Sequence, residues 1–390
     1  MSILNLGTYP PKQCGIATFS ADLRRSLVKN NCDIKIMAVS DGNYQYAYPS
    51  EVLFNLKQHN KSDYVKAANF INSTAAVQLV IIQHEYGIYG GEDGDYLLEL
   101  VRRLHKPYVV ITHTVLPQPS KHQKQVLNQL CHYAAAVVGM TRKSAGLLAD
   151  LYEAPAELIH VIPHGVPEFK KQNINYLKKK YGFEGREIIS TFGLIGPGKG
   201  LELGIEAIAG LVSEWPSLCY LVLGQTHPML KQYEGEKYRN MLEQLVDNLG
   251  LTNNVQFVNK YLSDEEIGEY LYMSDIYLSP YPNKDQAVSG TTAFAVGCGR
   301  AIVSTAYAYA TEVLADQRGL LAQQPEAEEL AGLIRSILVD QALKSRLQNR
   351  AQELGRSWTW FNVGQQYKGL FKQVLNKNYL EENNLGYGGF

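Results

Sequence analysis

The sequence predicts an α/β fold built from two doubly wound parallel-sheet units in tandem, and three observations predict it. Short apolar runs alternate with helix-length amphipathic segments along most of the chain. Most of these runs are continuously apolar, as strands of a parallel sheet covered on both faces must be. The alternation stops over residues 163–185 and then begins again. A chain of 390 residues also has room for about two domains, each with its own core.

In the first series the strand candidates are 3–6, 34–39, 52–56, 78–83, 108–112, 135–139 and 158–162. Runs such as IKIMAV and YVVIT are rich in β-branched residues, which favour strands. Between them lie segments such as FSADLRRSLVKN and DYLLELVRRLH, with apolar residues at helical spacing. PHGVPEFKKQN, rich in Pro, Gly and Lys, marks a linker over 166–185 that ends in a short helix. The second series places strands at 187–193, 219–224, 255–258, 276–280, 301–305 and 319–322. From 326 onward the pattern is helical, through AEELAGLIRSILVD, QALKSRLQNRAQEL and a segment around Trp358 and Trp360. The last residues, 379–390, are expected to form a flexible tail.

Composition narrows the function. The formal net charge of −1 excludes a dedicated nucleic-acid binder. Cys14, Cys32, Cys131, Cys219 and Cys298 are widely spaced, with no CxxC pair. That pattern predicts reduced thiols in a cytoplasmic protein. The start, MSILNLGTYPP, predicts a first strand and no signal peptide. No apolar run approaches the ~20 residues of a membrane span. Lys170, Lys171, Lys178, Lys179 and Lys180 predict a solvated face, with at most weak peripheral membrane contact. Tyr is in excess, at 26 against 11 Phe and 3 Trp. Tyr joins apolar area to a hydroxyl, which suits polar ring-shaped ligands such as sugars. Composition alone fits a Tyr-rich lineage equally well.

In open α/β sheets ligands lie beyond the carboxyl ends of strands, so the strand-end loops carry the candidates. The cleft between the two units is the expected site. After the first strand, Gly15 opens a helix whose first N–H groups can hold an anion. A tight strand-to-helix turn explains it equally well. After the fourth strand, QHEYGIYGGEDGDY offers His84, Glu85, Tyr86 and Tyr89 as polar contacts. Asp93 is expected to cap a helix beginning near Gly94, with Asp95 in its first turn. HExxH and zinc-spaced His/Cys clusters are missing, so no metal site is expected. His113 directly follows YVVIT and can donate to a hydroxyl or stabilise developing charge.

The second unit opens with FGLIGPGKG, where Gly193, Gly196, Gly198 and Gly200 surround Lys199. It is not a P-loop, yet the turn presents backbone N–H groups and the Lys a point charge for phosphate. Ser289, Gly290 and Thr291 begin an apolar helix, giving a cap and an anion site together. Asp285 and Gln286 precede that helix and can bond hydroxyls. Glu312 in ATEVL is a further polar candidate at a helix start, where a favourable helix-end charge is the plainer explanation.

VIPHGV (161–166), FGLIGPGKG (192–200), SDIYLSP (274–280) and AVGCGRAIVST (295–305), in that order and spacing, resemble the retaining glycosyltransferases of family 4. The resemblance covers roughly residues 1–375. It implies the GT-B architecture, two Rossmann-like domains facing across a cleft. It implies an acceptor-binding domain at 1–165, joined by a C-terminal helix at about 359–376, and a nucleotide-sugar-binding domain at 186–358. The donor would be a GDP- or UDP-sugar, with no metal or other cofactor. On this resemblance Lys199 matches the family's phosphate-binding lysine, His113 the histidine near the transferred sugar, and Glu312 an acid of the donor loop. His113 and Lys199 are then the catalytic candidates. Gly15, Gly196, Lys199, Ser289, Gly290 and Thr291 are assigned to donor phosphate, and Asp285, Gln286 and Glu312 to donor sugar or nucleotide. His84, Glu85, Tyr86 and Tyr89 are assigned to the acceptor. The Tyr excess is expected to meet a sugar at Tyr9, Tyr86, Tyr89, Tyr281, Tyr307 and Tyr309.

The departures from the family pattern keep alternatives open. The usual Arg before the Lys falls on Leu194, and the usual E-x7-E pair on Gln286 and Phe294. A phosphorylase of the same fold using orthophosphate, or an inactive protein binding a glycan or a partner, stays in contention. A dehydrogenase does not, because GxGxxG followed by a ribose-binding acid is missing.

Overall fold

A computed structural model of the chain describes residues 1–42 and 45–386, with side chains up to residue 377. The chain divides into two compact units: Met1–Gly165 with the stretch from Trp360 onward, and Val166–Thr359.

The first unit carries seven strands, each where an apolar run predicts it. They are Ser2–Gly7 (β1), Asp33–Ser40 (β2), Val52–Lys57 (β3), Leu79–His84 (β4), Tyr108–Thr112 (β5), Ala136–Gly139 (β6) and Ile159–Val161 (β7). All pair in parallel, in the order β3-β2-β1-β4-β5-β6-β7. Alternate residues serve opposite faces. Leu4, Leu6, Met37, Val39, Val80 and Ile82 join one core with residues of the helices Lys61–Ser73 and Lys121–His132.

The helix Gly15–Lys29 packs against the C-terminal helix Trp360–Gly386. Val363, Tyr367, Phe371 and Val374 form a buried stripe on that last helix, at three- and four-residue spacing. Burying each contributes roughly 1.5–3 kcal/mol before entropy is counted. Gly364 permits the close approach, since an added Cβ would meet Ser26 Oγ at 2.0 Å. Ser26 Oγ donates to the Trp360 carbonyl, and Lys368 Nζ donates to the Asn30 carbonyl at 2.7 Å. The helix continues through much of the stretch expected to be a tail, whose residues 387–390 lie outside the described residues.

The second unit carries Glu187–Phe192 (β8), Leu218–Leu223 (β9), Val255–Val258 (β10), Ile276–Ser279 (β11), Ala301–Thr305 (β12) and Leu320–Ala322 (β13). They pair in parallel, in the order β10-β9-β8-β11-β12-β13. Two cores flank the sheet: Cys219, Leu221 and Leu223 enter one, Leu218, Tyr220 and Val222 the other.

The segment 166–185 is part of this unit rather than a linker. Its helix Ile174–Tyr181 buries Leu177, and Val166 N donates to the Trp358 carbonyl at 2.8 Å. Two of the clustered lysines are bound inside the unit. Lys180 Nζ reaches Glu269 at 2.5 Å, and Lys178 Nζ reaches Asp275 at 2.7 Å. Asp275 also accepts from Lys344 Nζ at 2.7 Å and from Ile188 N at 2.9 Å. Burial opposes its charge, but the two ammonium groups hold its carboxyl below the ordinary range. One carboxylate thus ties two helices to β8. Losing it would strand two largely buried cations, at a cost of about 3–5 kcal/mol.

In both sheets the chain winds outward in two directions, so the order switches between β1 and β4 and between β8 and β11. At such a switch two adjacent strand-end loops diverge and leave room for a ligand. Among the described residues, no helix is long and apolar enough to cross a membrane.

Candidate active site

In the second unit the two loops at the switch point meet. After β8 the chain passes Gly193, turns through Pro197–Lys199 and enters the helix Leu201–Ala209 at Gly200. Gly200 has φ +58, and an added Cβ would lie 2.2 Å from the Pro280 carbonyl oxygen. Only glycine fits, which is how the turn packs against the end of β11. Lys199 Nζ then donates to Tyr281 Oη at 2.6 Å and lies 4.3 Å from the centre of that ring.

Tyr281 Oη and Thr291 Oγ1 are 2.7 Å apart, and Ser289 Oγ is 3.2 Å from Thr291 Oγ1. Ser289 caps the helix Gly290–Gly297, accepting from Thr292 N at 3.3 Å. The first N–H groups of that helix have no partner within it, and the helix dipole makes its start positive. Lys199, Ser289, Gly290 and Thr291 therefore come together, as the sequence predicts. Gly196 shapes the turn, its carbonyl accepting from Lys199 N at 2.9 Å. Burial alone would raise the Tyr281 phenol. Lys199 beside it, helped by Thr291 and Ser289, instead holds it below its ordinary value.

The sugar and nucleotide candidates are placed less directly. Asp285 is exposed. The Gln286 side-chain amide donates to the Val288 carbonyl at 2.7 Å, and its own carbonyl accepts from Tyr309 N at 3.0 Å. Gln286 therefore ties its loop to the helix Ala308–Val313. Glu312 stands in the last turn of that helix, not at its start, so a helix-start charge does not explain it. Its carbonyl accepts from Arg318 at 3.2 Å. Phe294, at the second E-x7-E position, is core: its ring lies 5.9 Å from Phe192 and 5.8 Å from Phe169.

In the first unit, His84 ends β4 and Glu85 follows it, and His113 follows β5, its N–H bonded to the His84 carbonyl at 3.0 Å. Gln83 Nε2 donates to Asn5 Oδ1 at 2.8 Å, so its Oε1 accepts from His113 Nε2 at 2.8 Å. That network assigns the His113 proton to Nε2 and leaves Nδ1 as an acceptor. Glu85 accepts from Thr114 Oγ1 at 2.5 Å and from Tyr86 N at 3.0 Å, while burial raises its carboxyl. Burial lowers His84 to about 4 and His164 to about 4. It lowers His113 to about 3, with the neighbouring His164 and His84 adding to the effect. Gly15 opens its helix on an exposed turn, capped by the Cys14 side chain.

The tyrosines expected to meet a sugar are instead buried, from 0% exposure at Tyr307 and Tyr309 to 9% at Tyr86. Tyr89 Oη donates to the Gln83 carbonyl at 2.9 Å, Tyr9 Oη to Glu51 at 3.0 Å, and Tyr86 Oη lies 3.4 Å from Tyr152 Oη. These six rings fill core volume, and all but Tyr309 close a hydrogen bond through the phenol. Asp93 is no helix cap. It accepts from Gln123 at 3.2 Å and faces His122 Nδ1 at 3.1 Å, and the helix starts only at Tyr96. Glu92, Asp93 and His122 bring one potential metal-ligand atom each within 4.8 Å of one another, a grouping their sequence spacing does not show.

Gln83 and His227 escape the sequence reading, and Tyr281, expected to meet a sugar, has another place. Gln83 orients His113, and only its place beside His84 hints at it. Tyr281 holds Lys199. His227, after β9, is depressed by burial and by the charge of Lys199. The strand-end rule applied to QTHPM would have flagged it.

Two all-parallel, doubly wound Rossmann-like units in one chain define the GT-B architecture. Solved structures share it. HepE from Anabaena, solved in complex with UDP, is 17% identical with a TM-score of 0.77, over 96% of this chain and 100% of that one. Sucrose-phosphate synthase from Thermosynechococcus elongatus is 16% identical with a TM-score of 0.79, over 97% and 100%. Residues 173–354 match the family described as Glycosyl transferases group 1, and residues 14–168 match Glycosyltransferase Family 4. The chain belongs to the group 1 glycosyltransferases of family 4. Among curated relatives, D-inositol 3-phosphate glycosyltransferase from a Nocardioides species is 25% identical over 259 residues, 63% of this chain and 55% of that protein. Alpha-D-kanosaminyltransferase from Streptomyces kanamyceticus is 22% identical over 248 residues, 62% of this chain and 61% of that protein. The matched stretch spans little more than half the length of these relatives.

Proposed function

We propose that the chain transfers a hexose from a nucleoside diphosphate sugar, a UDP- or GDP-sugar, to a hydroxyl acceptor with retention of configuration and without a metal. One observation carries the reading: the Lys199 ammonium, the Thr291 hydroxyl and the start of the helix Gly290–Gly297 gather around Tyr281. A cation and a helix N-terminus suit a diphosphate, whose negative charge grows as its bond to the sugar breaks. HepE, whose structures carry UDP and UDP-glucose, supports the choice of donor. His84, Glu85 and His113 at the carboxyl edge of the first sheet are the contacts proposed for the sugars.

In the step, a bond forms between the acceptor oxygen and the anomeric carbon as the bond from that carbon to phosphate breaks. The leaving diphosphate oxygen keeps the electron pair and takes the acceptor's proton. Lys199 and the helix start stabilise that oxygen more in the transition state than in the ground state. The core position of Phe294 favours a second reading, phosphorolysis, because no carboxylate stands there for a ribose.

Initial rates of nucleotide release from UDP- and GDP-hexoses, with EDTA present, test the proposal. Release that acceptor hydroxyls accelerate and EDTA leaves unchanged is expected. Turnover only with orthophosphate and a sugar phosphate would establish the phosphorylase reading. No release from any donor would leave a binding protein.

A further inference from the structure

We propose that Tyr281 is a positioning residue: its phenol oxygen holds the Lys199 ammonium and passes a hydrogen bond to Thr291, so that cation and helix start act on a bound diphosphate as one unit. The inference rests on the donor reading above and names the residue that makes its parts cooperate.

A phenol can accept one hydrogen bond and donate another at the same oxygen. Tyr281 Oη is placed for both, 2.6 Å from Lys199 Nζ and 2.7 Å from Thr291 Oγ1. Accepting from a cation polarises the O–H and strengthens the bond it donates. The Thr291 hydroxyl then accepts from Tyr281 and turns its own hydrogen to Ser289 Oγ, 3.2 Å away, the cap of the helix start, whose hydrogen goes on to Thr292 Oγ1 at 3.0 Å. Lys199 engages one N–H with Tyr281 and has two more to offer. A carboxylate in this place would pair with the ammonium and cancel its charge. A phenol fixes the ammonium and leaves the charge available to a ligand.

The ring itself is held from behind. Tyr307 stacks on it with centroids 5.2 Å apart and planes 17° apart. The Tyr307 hydroxyl is fixed in turn by Thr292 Oγ1 at 2.7 Å and Ser279 Oγ at 2.9 Å. Tyr281 is 2% exposed, so its geometry is set by packing. Packing alone would be met by phenylalanine, and burying a hydroxyl costs free energy that its hydrogen bonds offset.

The test is a double-mutant cycle read by calorimetric titration with UDP, with GDP and ADP run in parallel. Tyr281→Phe keeps the ring, the stack and the cation over its face, and removes only the hydroxyl. It is expected to weaken nucleoside diphosphate binding about tenfold, as loss of a hydrogen bond to a charged group does. In a Lys199→Ala background the same change is expected to have less than about a twofold effect, because residues acting as one unit are not additive. Thr291→Val is expected to weaken binding similarly, and Thr291→Ser to restore it. An unchanged affinity for Tyr281→Phe, or the same factor in both backgrounds, overturns the proposal while leaving the donor reading intact. If the wild type binds none of the three nucleotides, the donor reading itself falls, and this proposal with it.

Discussion

Lys199→Ala is expected to lower turnover by about 10²–10³-fold, the scale of removing one donor from a preorganised anion site. The side chain sits on a turn fixed by Gly200, with its ammonium beside Tyr281 and the start of the helix Gly290–Gly297. In the proposed reaction a charge held there needs no reorganisation as the leaving diphosphate gains charge. Its bond is to a phenol, not to a buried carboxylate, so its removal strands no opposite charge. The thermal midpoint of the variant should therefore stay close to that of the wild type. Nucleotide release and thermal unfolding, measured on the same preparation, check both halves. Unchanged kinetics would remove Lys199 from the mechanism. A collapsed midpoint would make its role structural.

The first unit is expected to lose stability steeply as pH falls from about 7 toward 4. His84, His113 and His164 are held neutral by burial, at about 4, 3 and 4. In the unfolded chain each takes up a proton near its ordinary value of about 6.5. Between these values the unfolded state binds more protons, so stability is full above the unfolded value and drains away below it. With three such groups the slope near pH 5.5 approaches roughly 4 kcal/mol per pH unit. His113 and His164 flank Phe19, whose ring is 4.8 Å from His113 and 5.2 Å from His164, and the His84 carbonyl accepts from His113 N at 3.0 Å. Charging one would disfavour charging the next. Asp275 and Glu269 are held below their ordinary values, Glu269 at about 2, and lose their contribution only at lower pH. Urea denaturation at a series of pH values gives the slope, and His164→Asn should reduce it by about one proton. A midpoint that stays flat between pH 7 and 5 would refute this.

The strands were legible because each is buried on both faces, so its run is apolar throughout, as in IKIMAV and YVVIT. The strand-end rule then placed Lys199 and the Ser289–Thr291 helix start on loops that can carry a ligand, and the sheet order makes those loops neighbours. What those loops hold was harder to read. The bond from Lys199 to Tyr281 joins residues 82 positions apart, and no local pattern announces it. The same distance problem hid Gln83 beneath His113, and turned the tyrosines from apparent ligand contacts into core. Glu312 and Asp93 were misplaced because helix boundaries are the least legible feature of a sequence: the helices begin at Ala308 and Tyr96. SDIYLSP was read as a family motif, and its Asp275 proves to be a structural hub whose lysines come from two distant helices.

In the proposed reaction this site releases a nucleoside diphosphate while a sugar is transferred with retention. Proton NMR of the first product formed from an α-configured UDP- or GDP-hexose tests it most directly. An α-linked product appearing together with the free nucleoside diphosphate is expected. A β-linked first product, or a sugar phosphate formed at the expense of orthophosphate, would contradict it.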